Sequence, residues 1–283
     1  MNARQTVSGH ASMISWAQNL EDVMLARALR HVERGFYVDV GAFDPEIDSV
    51  TRHFYDLGWR GINIDPASSR IARFTRERPG DVNLAVAIGA HPATMRFFDF
   101  SPTGLSTLDA EVAADMRDRG FACRETDVVV MTLADILDRH APAVIDFLKI
   151  DVEGAEAQVL AGADFLRHRP RILVIEATAP MQALATHAAW EPLLLRQGYL
   201  FAWFDGLNRF YVRREDTDLL THFRVQPNVF DGYFRAGDMR HAMKDRAFLR
   251  AYLGGLRLSP AAMLARTRNW LRKRDSGVGG APR

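Results

Sequence analysis

Two clusters of acids stand where apolar runs end, and these positions are the ones able to do chemistry. Lys149-Ile150-Asp151-Val152-Glu153-Gly154-Ala155-Glu156 follows the buried-looking run Val144–Leu148. Tyr37-Val38-Asp39-Val40-Gly41-Ala42 ends a second run, and Asp65 ends a third, 24 residues after Gly41. A glycine in such a turn lets the backbone bend sharply and approach a ligand. An acid at the next strand end stands where ribose hydroxyls would be gripped. Asp151, Glu153 and Glu176 are carboxylates able to take a proton from a reacting hydroxyl. Asp151 and Glu176, at the ends of adjacent strands, are also placed to converge as oxygen ligands for Mg²⁺. Without a metal, Glu153, Glu176 or His187 would be the general base. Glu153 and Glu156 also suit the first turn of a helix, where acids meet the positive end of the macrodipole. Lys149 lies on the same strand face as Asp151, either as its counter-ion or aimed at substrate.

The turn after Val40 narrows the ligand. A dinucleotide or nucleoside triphosphate needs a glycine-rich loop opening a helix to hold its phosphates. Gly41-Ala42-Phe43-Asp44-Pro45-Glu46 has one glycine, two acids and no lysine, and no Walker loop occurs elsewhere. Asp44 and Glu46 would repel phosphate. They suit S-adenosylmethionine, which carries ribose and adenine with a cationic sulfonium and ammonium.

These residues require strands to carry them. Runs at 36–41, 61–65, 82–88, 144–151 and 171–176 predict buried strands, with helices at 19–31, 48–57, 67–78, 155–167 and 189–197 between them. Asp48 and Ser49 are expected to cap the second helix, and Gly58 to end it. That alternation predicts an α/β fold with a mostly parallel sheet. Residues 199–204 and 209–213, joined by Asp205-Gly206-Leu207-Asn208, predict a closing antiparallel hairpin. The interval 94–132 interrupts the rhythm with two β-prone pieces around a short helix at 110–120, an insertion suited to shaping a pocket. Within it, Phe97, Phe98 and Phe100 near Ser106 and Thr107 offer aromatic faces and hydroxyls for a sugar ring. From about 215 strand signals fade, and 238–272 predicts helix before a disordered tail.

Composition bounds the whole. The 283 residues carry 36 Lys+Arg against 35 Asp+Glu, which lacks the basic excess of a nucleic-acid binder. One cysteine, Cys123, excludes a disulfide framework and multi-cysteine metal sites. No signal peptide or membrane-length apolar run is visible, so a cytoplasmic protein is expected. Residues 257–283 hold seven bases and one acid, a basic tail that is solvated or meets a membrane face or saccharide-assembly partner. The expected division is a helical cover over 1–35, the α/β domain over 36–213, and the extension over 214–283.

The segment Ser15-Trp16-Ala17-Gln18-Asn19-Leu20-Glu21-Asp22 resembles the opening motif of the FkbM family of methyltransferases. Residues 37–66 resemble that family's first βαβ unit, and Lys149–Glu156 its most distinctive stretch. Ser106-Thr107 and Thr132-Leu133 also stand where that family places such pairs. The likeness covers roughly 13–213 and implies a Rossmann-like class I fold and an S-adenosylmethionine-dependent O-methyltransferase of saccharides or related small molecules. It implies that Asp39, Gly41 and Ala42 line the methionine end of the donor and that Asp65 holds the ribose. It also implies that Ala87 lies against adenine and that Gln18, with Asn19, closes the pocket. The expected partner is a neutral glycan or small-molecule acceptor and not nucleic acid. A donor-binding but catalytically idle module in a saccharide-assembly complex is the alternative.

Overall fold

The computed structural model describes residues 13–238. Its packing divides the chain into Met1–Phe234 and Arg235–Arg283, and the main sheet and cleft lie in the first unit. In chain order the elements are β1 Met13–Ser15, α1 Glu21–Ala28, β2 Phe36–Val40, α2 Arg52–Asp56, β3 Arg60–Ile64, α3 Ser68–Glu77 and β4 Val82–Leu84. Then follow β5 Ala87–Ile88, β6 Ala93–Asp99, α4 Ala110–Asp118, β7 Arg124–Met131, α5 Leu133–His140, β8 Phe147–Ile150 and α6 Glu156–Ala161. β9 Ile172–Glu176, α7 Glu191–Arg196, β10 Tyr199–Phe204, β11 Asn208–Arg213 and β12 Tyr233–Arg235 complete the series, with 3₁₀ segments at His187–Ala189, Arg214–Phe223 and Val229–Asp231.

Seven strands form the main sheet in the order β10-β11-β9-β8-β2-β3-β4. The five from β9 to β4 run parallel, while β11 is antiparallel to β9 and β10 to β11. A parallel sheet is stable when both faces are covered, and this one has a core on each side. Val38, Val40, Leu148, Ile150, Leu173 and Ile175 pack on one face with Ile136, Leu137, Val159 and Leu194 from α5, α6 and α7. Tyr37, Phe147, Ile172, Val174, Phe210 and Val212 fill the other, against Leu25 of α1 and Phe54 of α2. The period of two therefore sends Asp39, Lys149 and Glu176 to that second face, at the carboxyl ends of three neighbouring strands.

The insertion builds a sheet of its own, β5-β7-β6. Residues 82–88, expected as one strand, are two: β4 closes the main sheet, and after Val86 the chain enters the small sheet by pairing Ala87 with Val130. A short run of small and β-branched residues suits either sheet, and only the partners decide. The helix expected over 155–167 stops at Ala161 with Gly162 as its C-cap, where a Cβ would lie 2.1 Å from the Gly89 carbonyl oxygen, and Asp164 then folds a turn by accepting the Leu166 and Arg167 N–H groups. Asp48 and Ser49 do not cap α2: its N-cap is Thr51, and the Ser49 hydroxyl accepts from Arg78 instead. Gly58, at φ +92°, does end that helix in the left-handed conformation. The hairpin turns through Gly206 as expected, with the Asp205 N–H donating to the Asn208 carbonyl. The expected helix over 238–272, beyond its first residue, and the basic tail lie outside the described residues.

Candidate active site

An open parallel sheet presents its ligand site beyond the carboxyl ends of its strands, where the strand order reverses. Here the reversal falls between β2 and β8, and a cavity of about 410 Å³ opens there. Gln18, Asp39, Gly41, Ala42, Asp65, Ala87, Lys149, Asp151 and Glu153 all line it. Glu176 lies behind this lining, buried at the end of β9. His187 is elsewhere, against Trp190 and 4.0 Å from Glu191, so it does not join the general-base candidates.

Gly41 has a second task besides lining the cleft. At φ +82°, its missing side chain admits the Asp151 backbone: a Cβ would lie 1.7 Å from the Asp151 carbonyl oxygen. The glycine thus seats one acidic turn against the other. Asp151 N–H donates to the Val40 carbonyl across the same contact. Lys149 Nζ stands 3.1 Å from Asp151 Oδ2 and 3.7 Å from Asp39 Oδ1, and 3.5 Å from the Gly41 carbonyl oxygen. Burial alone would favour the neutral amine, but Asp151 and Asp39 outweigh it and hold its pKa above the ordinary lysine value. Lys149 is therefore the counter-ion between the two turns.

Glu156 folds the local turn. Its Oε1 accepts the N–H groups of Val152 and Gly154, a helix-start role, and it is not among the residues lining the cleft. Glu153, at φ +54°, is turned instead into the cleft. Its carbonyl accepts from the Thr107 hydroxyl at 2.8 Å, which ties the insertion to the acidic turn. Asp151, Glu153 and Glu176 each bring a carboxylate oxygen within 4.8 Å of the other two. No donor among the described residues reaches the buried Oε2 atoms of Glu153 and Glu176. Burial, with Asp151 and the other acids nearby, pushes both Glu176 and Glu153 well above the ordinary glutamate value. Such a group either keeps protons or shares a hard cation among its oxygens.

Asp39 is aimed by a relay that sequence reading does not find. Fully buried Arg78 donates to Thr51 Oγ1 at 2.7 Å, and Thr51 donates to Asp39 Oδ2 at 3.1 Å. Arg78 ends α3, where a sequence shows only one more surface arginine. The opening segment is likewise set by buried acids. Asp22 accepts from the Ser15 hydroxyl and the Trp16 N–H, while Glu21 accepts from the Asn19 N–H and from Asn208 Nδ2. Asn19 donates to the Asp205 carbonyl, so the segment is pinned to the hairpin with Gln18 at the cleft. Burial raises Glu21 to about 8 and Asp22 to about 6.

The three phenylalanines divide between two faces. Phe97 lines the cleft, whereas Phe98 packs against the small core that Phe100 forms with Ala113 and Met116 of α4, with Arg117 over its ring. Strand alternation explains this, since successive side chains point to opposite faces. Ser106 and Thr107 do line the cleft.

Compared with known families, residues 39–201 match the model described as the methyltransferase FkbM domain. No curated protein matches the chain.

Proposed function

From the chain's membership of the FkbM methyltransferase family, we propose that this cleft binds S-adenosylmethionine and transfers its methyl group to a hydroxyl of a saccharide or related small molecule. The strand order, with its antiparallel closing pair, supports a Rossmann-like class I fold for that task. The observation that carries the reading is the charge of the cleft. Asp39, Asp48, Asp65, Asp151 and Glu153 line it against only Arg70 and Lys149. That excess of acid suits a donor bearing two cationic centres and disfavours a pyrophosphate.

In this reading the methionine end lies over Gly41 and Ala42 beside Asp39, the ribose at Asp65 and the adenine against Ala87. The acceptor oxygen attacks the methyl carbon in line. The carbon–sulfur bond breaks and its electron pair stays on sulfur, leaving S-adenosylhomocysteine. The hydroxyl proton passes to the Glu153 carboxylate, whose raised basicity suits the task. Alignment supplies most of the rate, because the transfer needs geometry more than elaborate chemistry. Lys149 positions Asp39 and Asp151 and leaves the proton transfer to Glu153. The oxygen-only set also fits Mg²⁺ or a similar hard cation, which Asp151, Glu153 and Glu176 would hold and which would acidify the acceptor hydroxyl. Glu176→Gln separates these routes. Gln imitates a protonated Glu176 and leaves turnover intact, whereas a metal ligand must be ionised and the variant would then lose both turnover and Mn²⁺ binding measured by electron paramagnetic resonance.

Calorimetry with S-adenosylmethionine, with NADH as the contrast, tests the donor assignment. Asp65→Ala should weaken donor binding by about tenfold or more. A screen of glycan acceptors with labelled donor tests the reaction. Tight donor binding with no acceptor methylated would favour an idle module, and label found only in nucleic acid or protein would end the sugar assignment.

A further inference from the structure

Asp65 is already heavily used. Its Oδ1 accepts the Ala67 N–H at 2.8 Å, and its Oδ2 accepts the Phe43 N–H at 3.3 Å and Arg70 Nη1 at 3.2 Å. A carboxylate offers about four acceptor positions, so roughly one is left for a ligand. A ribose presents two adjacent hydroxyls. One can donate to the free position of Asp65, and the other needs a different partner. Arg70 lines the same cavity, and its guanidinium can only donate, so it would meet that second hydroxyl through the oxygen.

We infer that Arg70 is the second half of the ribose site, reading one hydroxyl by donation while Asp65 reads the other by acceptance. The inference rests on the donor assignment above. The guanidinium is held ready for this role. Nη2 donates to Ser106 Oγ at 2.7 Å and to the Thr103 carbonyl at 3.3 Å, and stands 3.4 Å from Asp99 Oδ1. The Phe43 ring lies beneath it at 5.0 Å. Arg70 is 11% exposed and Asp65 and Asp99 are less so, which makes these bonds stronger than surface pairs. The same contacts fasten the cavity wall at 99–106 to the main sheet, so the wall and the ribose site are set by one side chain. This would make the enzyme select a full diol, because each hydroxyl has its own charged partner.

The test needs first only the wild-type protein. Calorimetry compares S-adenosylhomocysteine with its 2′-deoxy and 3′-deoxy analogues. Each deoxy analogue should bind about tenfold or more weakly, since each leaves one hydrogen-bonding position of a charged group unfilled. If either binds as tightly as the parent, only one hydroxyl is read and the inference falls. If the parent itself does not bind, the donor assignment fails instead, and this reading with it. Arg70→Lys, checked for folding by its melting curve, supplies the second measurement. It should weaken the parent and bring one deoxy analogue level with it, while the other analogue stays weaker. An equal loss for all three ligands would make Arg70 a fastening of the wall only and would overturn its contact with the ribose.

Discussion

Gly41 and Asp151 meet backbone to backbone, and that contact decides how variants at both positions must be read. Gly41→Val places side-chain atoms in the Asp151 carbonyl and forces a β-branched residue to φ +82°. It should lower the melting temperature sharply or prevent folding, measured by circular dichroism, and its loss of donor binding would follow from misfolding. Asp151→Asn is the cleaner probe. The Asp151 N–H bond to Val40 is untouched, the shape is kept, and only the charge facing Lys149 and the acid cluster changes. Its melting curve should stay near wild type while turnover falls by about tenfold or more, because the Asp151 charge is one of those that make the Glu153 carboxylate a stronger base. A variant that melts normally and methylates at the wild-type rate would reduce Asp151 to the counter-charge of Lys149.

Among the elements, the segment from β1 into α1 is the one whose acids do the most structural work out of sight. Glu21 and Asp22 are buried and each is enclosed by donors, so the turn at 15–20 is held from inside the protein. Their raised pKa values give stability a definite pH dependence. Folded Glu21 keeps its proton up to about 8, whereas the unfolded chain releases it near 4.5. The folded state therefore binds more protons between those values, and this group's contribution is complete below the unfolded pKa and lost as pH rises toward 8. Asp22 adds the same sign over a narrower window ending near 6. The melting temperature should fall from mildly acidic to mildly alkaline pH, and Glu21→Gln should flatten that slope. A slope left unchanged in the variant would place the titration elsewhere.

At the scale of the molecule, near-neutral charge and an acidic cleft are unfavourable to polyanions, and this is the physical ground on which a neutral acceptor is proposed. No helix among the described residues is long and apolar enough to cross a membrane. The basic residues after 257 are the feature suited to an anionic surface, through charge that salt would screen. Deleting 257–283 should leave methylation of a soluble sugar intact and reduce it on a lipid-linked precursor in anionic vesicles. Equal rates on both acceptors would dismiss a membrane role.

What the sequence determined by itself was the order of strands and helices, the closing hairpin, and the strand-end acids Asp39, Asp65 and Asp151. Those follow from local periodicity, from turn chemistry and from the rule that parallel strands end at ligands. It also carried the family, since the motifs at 15–22, 37–66 and 149–156 lie in one order along the chain. What only the tertiary structure decided were contacts between residues far apart in the chain. The split of 82–88 between two sheets, Gly41 as the seat of Asp151, and the removal of His187 from the cleft all depend on which strand lies beside which. Arg70 and Arg78 show the reason most plainly. Each is an arginine on one helix, indistinguishable in sequence from its solvated neighbours, and each gains its role from burial beside carboxylates and hydroxyls that other elements bring to it.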